Sequence, residues 1–128
     1  MKKLLFVFAS LVMFPLAAAS QTFSLKCDYP NWSDSKGLHK SREKFGMTFV
    51  VDQESDKAYM IGSEFTSPVL KIMQQDPQNG MTFIDIAEGG NVYTTTWVES
   101  SGESIHSRHS VLLGNAIPSQ YYGVCEIK

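Results

Sequence analysis

Cys27 and Cys125 are the only cysteines in the chain, and they stand close to its two ends. What lies before the first of them decides their chemistry. Lys2 and Lys3 open the sequence, Leu4 to Leu16 form an apolar run, and Ala17-Ala18-Ala19 supplies small residues suited to cleavage. That three-part layout predicts a secretory signal peptide over 1–19, cut after Ala19 or Ser20. The apolar run is shorter than the ~20 residues that a membrane-spanning helix needs. An exported chain enters an oxidising compartment, the periplasm or the exterior, so an even pair of cysteines is expected to form a disulfide. A bond closing a loop of roughly 100 residues stabilises by about 4.7 kcal/mol in the chain-entropy treatment. Its geometric consequence is stronger: the first and last segments of residues 20–128 must lie side by side.

Without Lys2 and Lys3 the chain holds nine basic and thirteen acidic residues, a formal charge of −4. Such a balance argues against a nucleic-acid partner, which requires clustered Lys and Arg to neutralise phosphates. The densest basic stretch, "KGLHKSREK" from Lys36 to Lys44, is interrupted by Glu43 and lacks interleaved aromatic residues. It reads as a solvated loop. No second apolar segment is long enough to span a bilayer, so no membrane span is expected after the leader is removed.

About 108 residues, with no repeat and no linker, make one domain. Its pattern is that of strands, with period-two alternation between turn residues. "TFSLKC" sets Phe23, Leu25 and Cys27 on one face, and "KFGMTFVVD" sets Phe45, Met47, Phe49 and Val51 on one face. "KAYMIG", "PVLKIM", "MTFIDIA", "NVYTTTWV", "SIHSRHSVLL" and "QYYGVCEI" follow. The turns expected between them lie at Asp52–Asp56, "DPQNG", Gly89-Gly90, "ESSGES" and "GNAIPS". The Asp28–Glu43 stretch reads as irregular or as one short helix. Short connections imply an antiparallel up-and-down meander of about eight strands. With its ends tied by Cys27 and Cys125, that all-β meander predicts a small closed or nearly closed barrel, and a β-sandwich is the second reading.

The chemistry-bearing residues cluster in "SIHSRHSVLL", residues 104–113. On a strand Ile105, Ser107, His109, Val111 and Leu113 share the more apolar face, which is expected to point inward. His106 and Arg108 then face solvent. The two histidines of the HxxH spacing point to opposite sides, so no metal site is expected, and no cofactor either. Ser107 and His109 are candidate polar anchors of an internal ligand site, and Tyr93 and Trp97, which share a face with Thr95, are candidates to line it. A core histidine bonded to a neighbouring strand is the plainer reading of the same residues. Ser107 and His109 stand about 6.6 Å apart by strand rise, too far for a nucleophile–base pair. There is no GxSxG elbow. Asp85, within "FIDIA", goes to water if Ile84 and Ile86 take the core. An enzyme is therefore not expected.

This plan resembles two known architectures, the ligand-carrying barrels of lipocalin or avidin type and the barrels of bacterial periplasmic enzyme inhibitors. The resemblance covers architecture only. Ser101-Gly102 is followed by Glu103, Ser104 and Ile105, which does not match the inhibitors' SGxxY loop, so no functional residue is carried over. Two functions follow as expectations. One is an exported non-enzymatic protein that holds a small apolar or amphipathic molecule in its interior. The other is a module that binds an envelope protein, such as an enzyme inhibitor, through the 28–43 stretch and the "GNAIPS" loop.

Overall fold

The computed structural model describes residues 21–62, 64–73 and 80–128. The leader expected over 1–19 and the turn residue Pro77 lie outside them. Among the described residues all the regular elements are strands: β1 (Thr22–Asp34), β2 (Gly37–Lys40), β3 (Gly46–Asp52), β4 (Lys57–Ile61), β5 (Thr66–Met73), β6 (Gly80–Ile86), β7 (Val92–Val98), β8 (Glu103–Leu112) and β9 (Asn115–Ile127). Neighbours from β3 to β9 pair antiparallel in chain order, and β1 pairs with both β3 and β9. The eight strands other than β2 thus form a closed barrel with no free edge. No helix among the described residues is long and apolar enough to cross a membrane.

Closure runs through the cysteines. Cys27 and Cys125 are direct partners across β1 and β9, with Cα atoms 4.0 Å apart and the disulfide formed. The expected interior alternation holds on β3, where Phe49 and Val51 are fully buried and Met47 packs against the core. Phe49 stacks on Phe83 from the opposite wall, with ring centroids 4.2 Å apart and planes 8° from parallel. Leu25, Val51 and Ala58 pack into the same core. Burying aromatic and branched side chains at this density is the main favourable contribution to the fold.

Three segments differ from the sequence expectation. The Asp28–Glu43 stretch contains neither a helix nor a long loop; β1 runs on to Asp34 and turns back as β2. Beyond Asp28 the strand β1 loses β3 as its partner, and β2 takes that edge, pairing Asn31 with Lys40 and Ser33 with Leu38. A bulge between Asp28 and Asn31 makes this bend, and Gly123 of β9 accommodates it: a Cβ there would stand 1.9 Å from the Asp28 carbonyl oxygen.

The second difference is "GNAIPS". Its residues from Asn115 onward belong to β9, and the connection is the two-residue turn Leu113-Gly114, with φ of 51° and 77°. Two positive φ values give the mirror-image turn whose twist suits a hairpin. Glycine takes that conformation freely, whereas leucine is strained in it. The last pair between β1 and β9 is Ser33 with Gln120 and the last between β7 and β8 is Val92 with His109, so Ser110–Leu112 and Asn115–Ile117 continue as a two-stranded ribbon beyond the barrel, with the Val111 N–H donating to Asn91 Oδ1 at its base. Finally, Gly80 opens β6 rather than serving as a turn residue, lying against the Trp97 carbonyl.

Candidate functional site

Which face of β8 points inward is decided by its hairpin with β7. The register pairs Trp97 with Ser104, Thr95 with His106 and Tyr93 with Arg108, and paired residues share a face. Trp97 offers the largest apolar surface on β7 and goes to the core, which carries Ser104, His106 and Arg108 inward. Ser104 and His106 are buried, while Ile105 is 45% exposed and His109 lies on the surface. The expected inward set of Ile105, Ser107, His109, Val111 and Leu113 is thus corrected to the opposite set. Ser107 bonds to Gln120 on the outside of the wall. A one-residue choice of register moves every side chain of a strand to the other face, and the apolar content of β8 alone pointed the wrong way.

Asp85 is corrected by the same logic. Phe83 and Met81 take the core on β6, Ile86 is exposed, and Asp85 shares the inward face with Phe83. It accepts a hydrogen bond from Ser67 Oγ at 3.1 Å.

These inward polar residues converge at one mouth of the barrel, where a cleft of about 620 Å³ opens. Phe45, Met47, Met60, Phe65, Tyr93 and Ile86 supply its apolar lining. Ser67, Asp85, Glu88, His106 and Arg108 supply its polar groups. Asp85, Tyr93 and Arg108 lie in one row across β6, β7 and β8. At about 4.8 Å between strands, this places the Asp85 and Arg108 Cα atoms on the order of 10 Å apart. Of the candidates Tyr93 and Trp97, only Tyr93 lines the cleft. Trp97 is part of the floor, and its indole N–H meets no acceptor among the described residues.

Arg108 is the most constrained cation of the site. Its guanidinium carbon lies 4.7 Å from the centre of the Phe45 ring and 4.8 Å from that of Tyr121, so it is held between two aromatic faces. Its Nε donates to His106 Nε2 at 3.3 Å, and one terminal nitrogen donates to the Tyr121 hydroxyl at 3.4 Å. Among the described residues no carboxylate pairs with it. Because a guanidinium has five N–H donors, several remain for something placed in the mouth.

His106 is what aims it. The ring is 3% exposed, and burial, reinforced by the neighbouring Arg108 charge, pushes its pKa down to about 4. The imidazole is therefore neutral at physiological pH. With Nε2 accepting from Arg108, the proton sits on Nδ1 and is donated to Thr95 Oγ1 at 2.8 Å. Thr95 in turn points its hydroxyl at the Met47 sulfur. Below this relay the Tyr29 hydroxyl donates to Ser104 Oγ at 2.9 Å, and Ser104 donates to the Thr96 carbonyl at 2.9 Å. Burial pushes the Tyr29 pKa up to about 12, against the opposing effect of the Ser104 bond. Buried polar groups satisfied in this way hold one arrangement rigidly.

Sequence reading assigned Arg108 and His106 to solvent and missed Phe45 and Tyr121 as a pair. The usable signal was the short β7–β8 connection: fixing Trp97 inward fixes Ser104 and hence Arg108. Nothing local announces the sandwich, because its three residues come from the β2–β3 link, β8 and β9. No three His, Cys, Asp or Glu side chains among the described residues are grouped to hold a metal ion.

No family model, no curated protein and no solved structure matches this chain. The geometry of the mouth is the ground on which a function is argued.

Proposed function

We propose that this chain is an exported, non-enzymatic binding protein whose barrel mouth takes a small amphipathic molecule with an anionic head. The observation that carries the reading is Arg108, a half-buried cation clamped between Phe45 and Tyr121 with no carboxylate partner, beside a cleft of about 620 Å³. That volume is in the range of small-molecule sites, which combine an apolar lining with a few placed polar groups. A carboxylate or phosphate can accept two parallel N–H donors from the free edge of a guanidinium. The Met47, Met60 and Phe65 side chains offer the apolar part of the molecule a polarisable, adaptable wall.

A binding role suits the polar groups better than catalysis does. The His106 lone pair is occupied by Arg108, and the Tyr29 hydroxyl stays protonated and donates to Ser104. Export is supported by the leader-like first nineteen residues and by the disulfide, which is characteristic of oxidising compartments.

The reading is tested by native mass spectrometry of protein recovered from its own compartment, together with titration of decanoate and of the uncharged decanol. Decanoate is expected to bind more tightly than decanol. Arg108→Met keeps the stacked stem but removes the charge, and is expected to weaken decanoate between about tenfold and a hundredfold, the range for a hydrogen bond to a charged group. Equal binding of acid and alcohol, or no effect of Arg108→Met, would refute the anionic head.

A further inference from the structure

We propose that the β8–β9 ribbon inserts its tip into an anionic lipid surface, bringing the barrel mouth against the membrane. The ribbon leaves the barrel at the same end as the cleft, since Arg108, which lines the cleft, stands two residues before Ser110, where β8 passes its last partner on β7 and enters the ribbon. Ser110 to Ser119, "SVLLGNAIPS", carries no charge. At its turn Leu113 is 92% exposed in the strained left-handed conformation, where asparagine, aspartate or glycine would be relaxed. Local choices that cost stability with no gain in the fold are expected where a function requires them.

The arrangement of the apolar side chains narrows what the tip meets. Val111 pairs with Ala116 on one face of the ribbon, whereas Leu112 and Ile117 lie on the other, and these three large residues are all exposed. A surface covering one face of a two-stranded ribbon leaves the other wet. The interfacial layer of a bilayer surrounds an inserted tip and buries both faces together.

Charge points the same way. On the β1–β2 side of the mouth, residues 29–44 hold Lys36, Lys40, Arg42 and Lys44 against Asp34 and Glu43, a formal +2. Glu64, Asp85 and Glu88 belong to the other walls and loops of the same end. The positive charge is therefore local to the β1–β2 hairpin and the link that follows it, beside the base of the ribbon. Lys36, in the β1–β2 turn, sits at the base of the ribbon, because Asp34 and Gly37 close that hairpin beside Gln120 and Ser119. From Gln120 to the tip at Asn115, β9 runs five residues, about 17 Å, past that level. A tip sunk about 5–10 Å would bring Lys36 to within roughly a screening length of anionic headgroups. This holds whether or not the cleft carries a ligand.

The test uses chain expressed with its own leader and purified after export. It is sedimented with vesicles of phosphatidylcholine alone and of phosphatidylcholine mixed with phosphatidylglycerol. Binding to the mixed vesicles is expected to exceed binding to the neutral ones and to fall as ionic strength rises. The variant L112S/L113N replaces the strained turn by Asn-Gly, so its melting temperature is expected to be unchanged or higher. Its vesicle binding is expected to fall at least about tenfold, as the loss of two inserted leucines requires. The proposal is overturned by wild-type protein that binds neither vesicle, or by a variant that binds as well as wild type. It is also overturned if analytical ultracentrifugation finds a dimer that the variant dissolves, since a second copy would then cover the tip.

Discussion

Acidification should destabilise this protein well before its carboxylates protonate, and the cause should be one side chain. The pKa of His106 is pushed down to about 4 in the folded barrel by burial and then by Arg108, against an ordinary value near 6.5 in an unfolded chain. A histidine kept neutral by the fold contributes no pH-dependent penalty above pH ~6.5, where both states are unprotonated. As pH falls from about 6.5 to about 4 the unfolded chain gains a proton that the folded chain refuses, so stability drops; below about 4 the two states titrate together and this loss stops. The full interval of roughly 2.5 units corresponds to about 3 kcal/mol, and about 2 kcal/mol of it is already lost at pH 5, where most carboxylates remain ionised. Urea unfolding at pH 7.5 and pH 5 would measure the change. The control is His106→Gln, which keeps a polar group opposite Thr95 and Arg108 but cannot titrate. The variant should be less stable than wild type at pH 7.5 and should lose about 2 kcal/mol less on acidification. If both proteins lose the same amount between pH 7.5 and pH 5, His106 is not held neutral by the barrel, and the tautomer that aims Arg108 goes with it.

Two further outcomes bear on the frame that holds the site. Replacing both Cys27 and Cys125 by serine removes a link of sequence separation 98 and should cost about 4–5 kcal/mol, read as a lower urea midpoint. Unchanged stability would mean that β1 and β9 close the barrel without it. Gly123→Ala would place a Cβ 1.9 Å from the Asp28 carbonyl oxygen, a contact that only backbone movement relieves. Overpacking of this kind should cost on the order of 1–3 kcal/mol and disturb the β1 bulge, seen as a lower melting temperature and lost amide protection at Tyr29 and Asn31. A melting temperature equal to wild type would show that the bend does not need the glycine.

The strands with one apolar face were legible in the sequence. "KFGMTFVVD" alternates cleanly because β3 has the core on one side and less buried surface on the other. Gly90, at φ 82°, marks the turn between β6 and β7 because positive φ is easy for glycine, but that connection is the longer loop Ala87–Asn91 rather than a two-residue Gly89-Gly90 turn. The cysteine pair also carried real topological information, since it ties the two outermost barrel strands of a meander and so implies closure. By contrast, β8 has apolar residues on the face that looks outward and polar residues on the face that looks into the mouth, so its own pattern inverts the truth. Only pairing with β7, where Trp97 must be buried, determines that Ser104, His106 and Arg108 face the interior. The same holds for the extension of β1 into β2 and for the Phe45–Arg108–Tyr121 sandwich. Each depends on which strands become neighbours, and that is a property of closure rather than of any short stretch. Periodicity and the two sulfurs determined an all-β barrel; the register of its walls decided which side chains meet at its mouth, because a shift of a single residue exchanges the two faces of a strand.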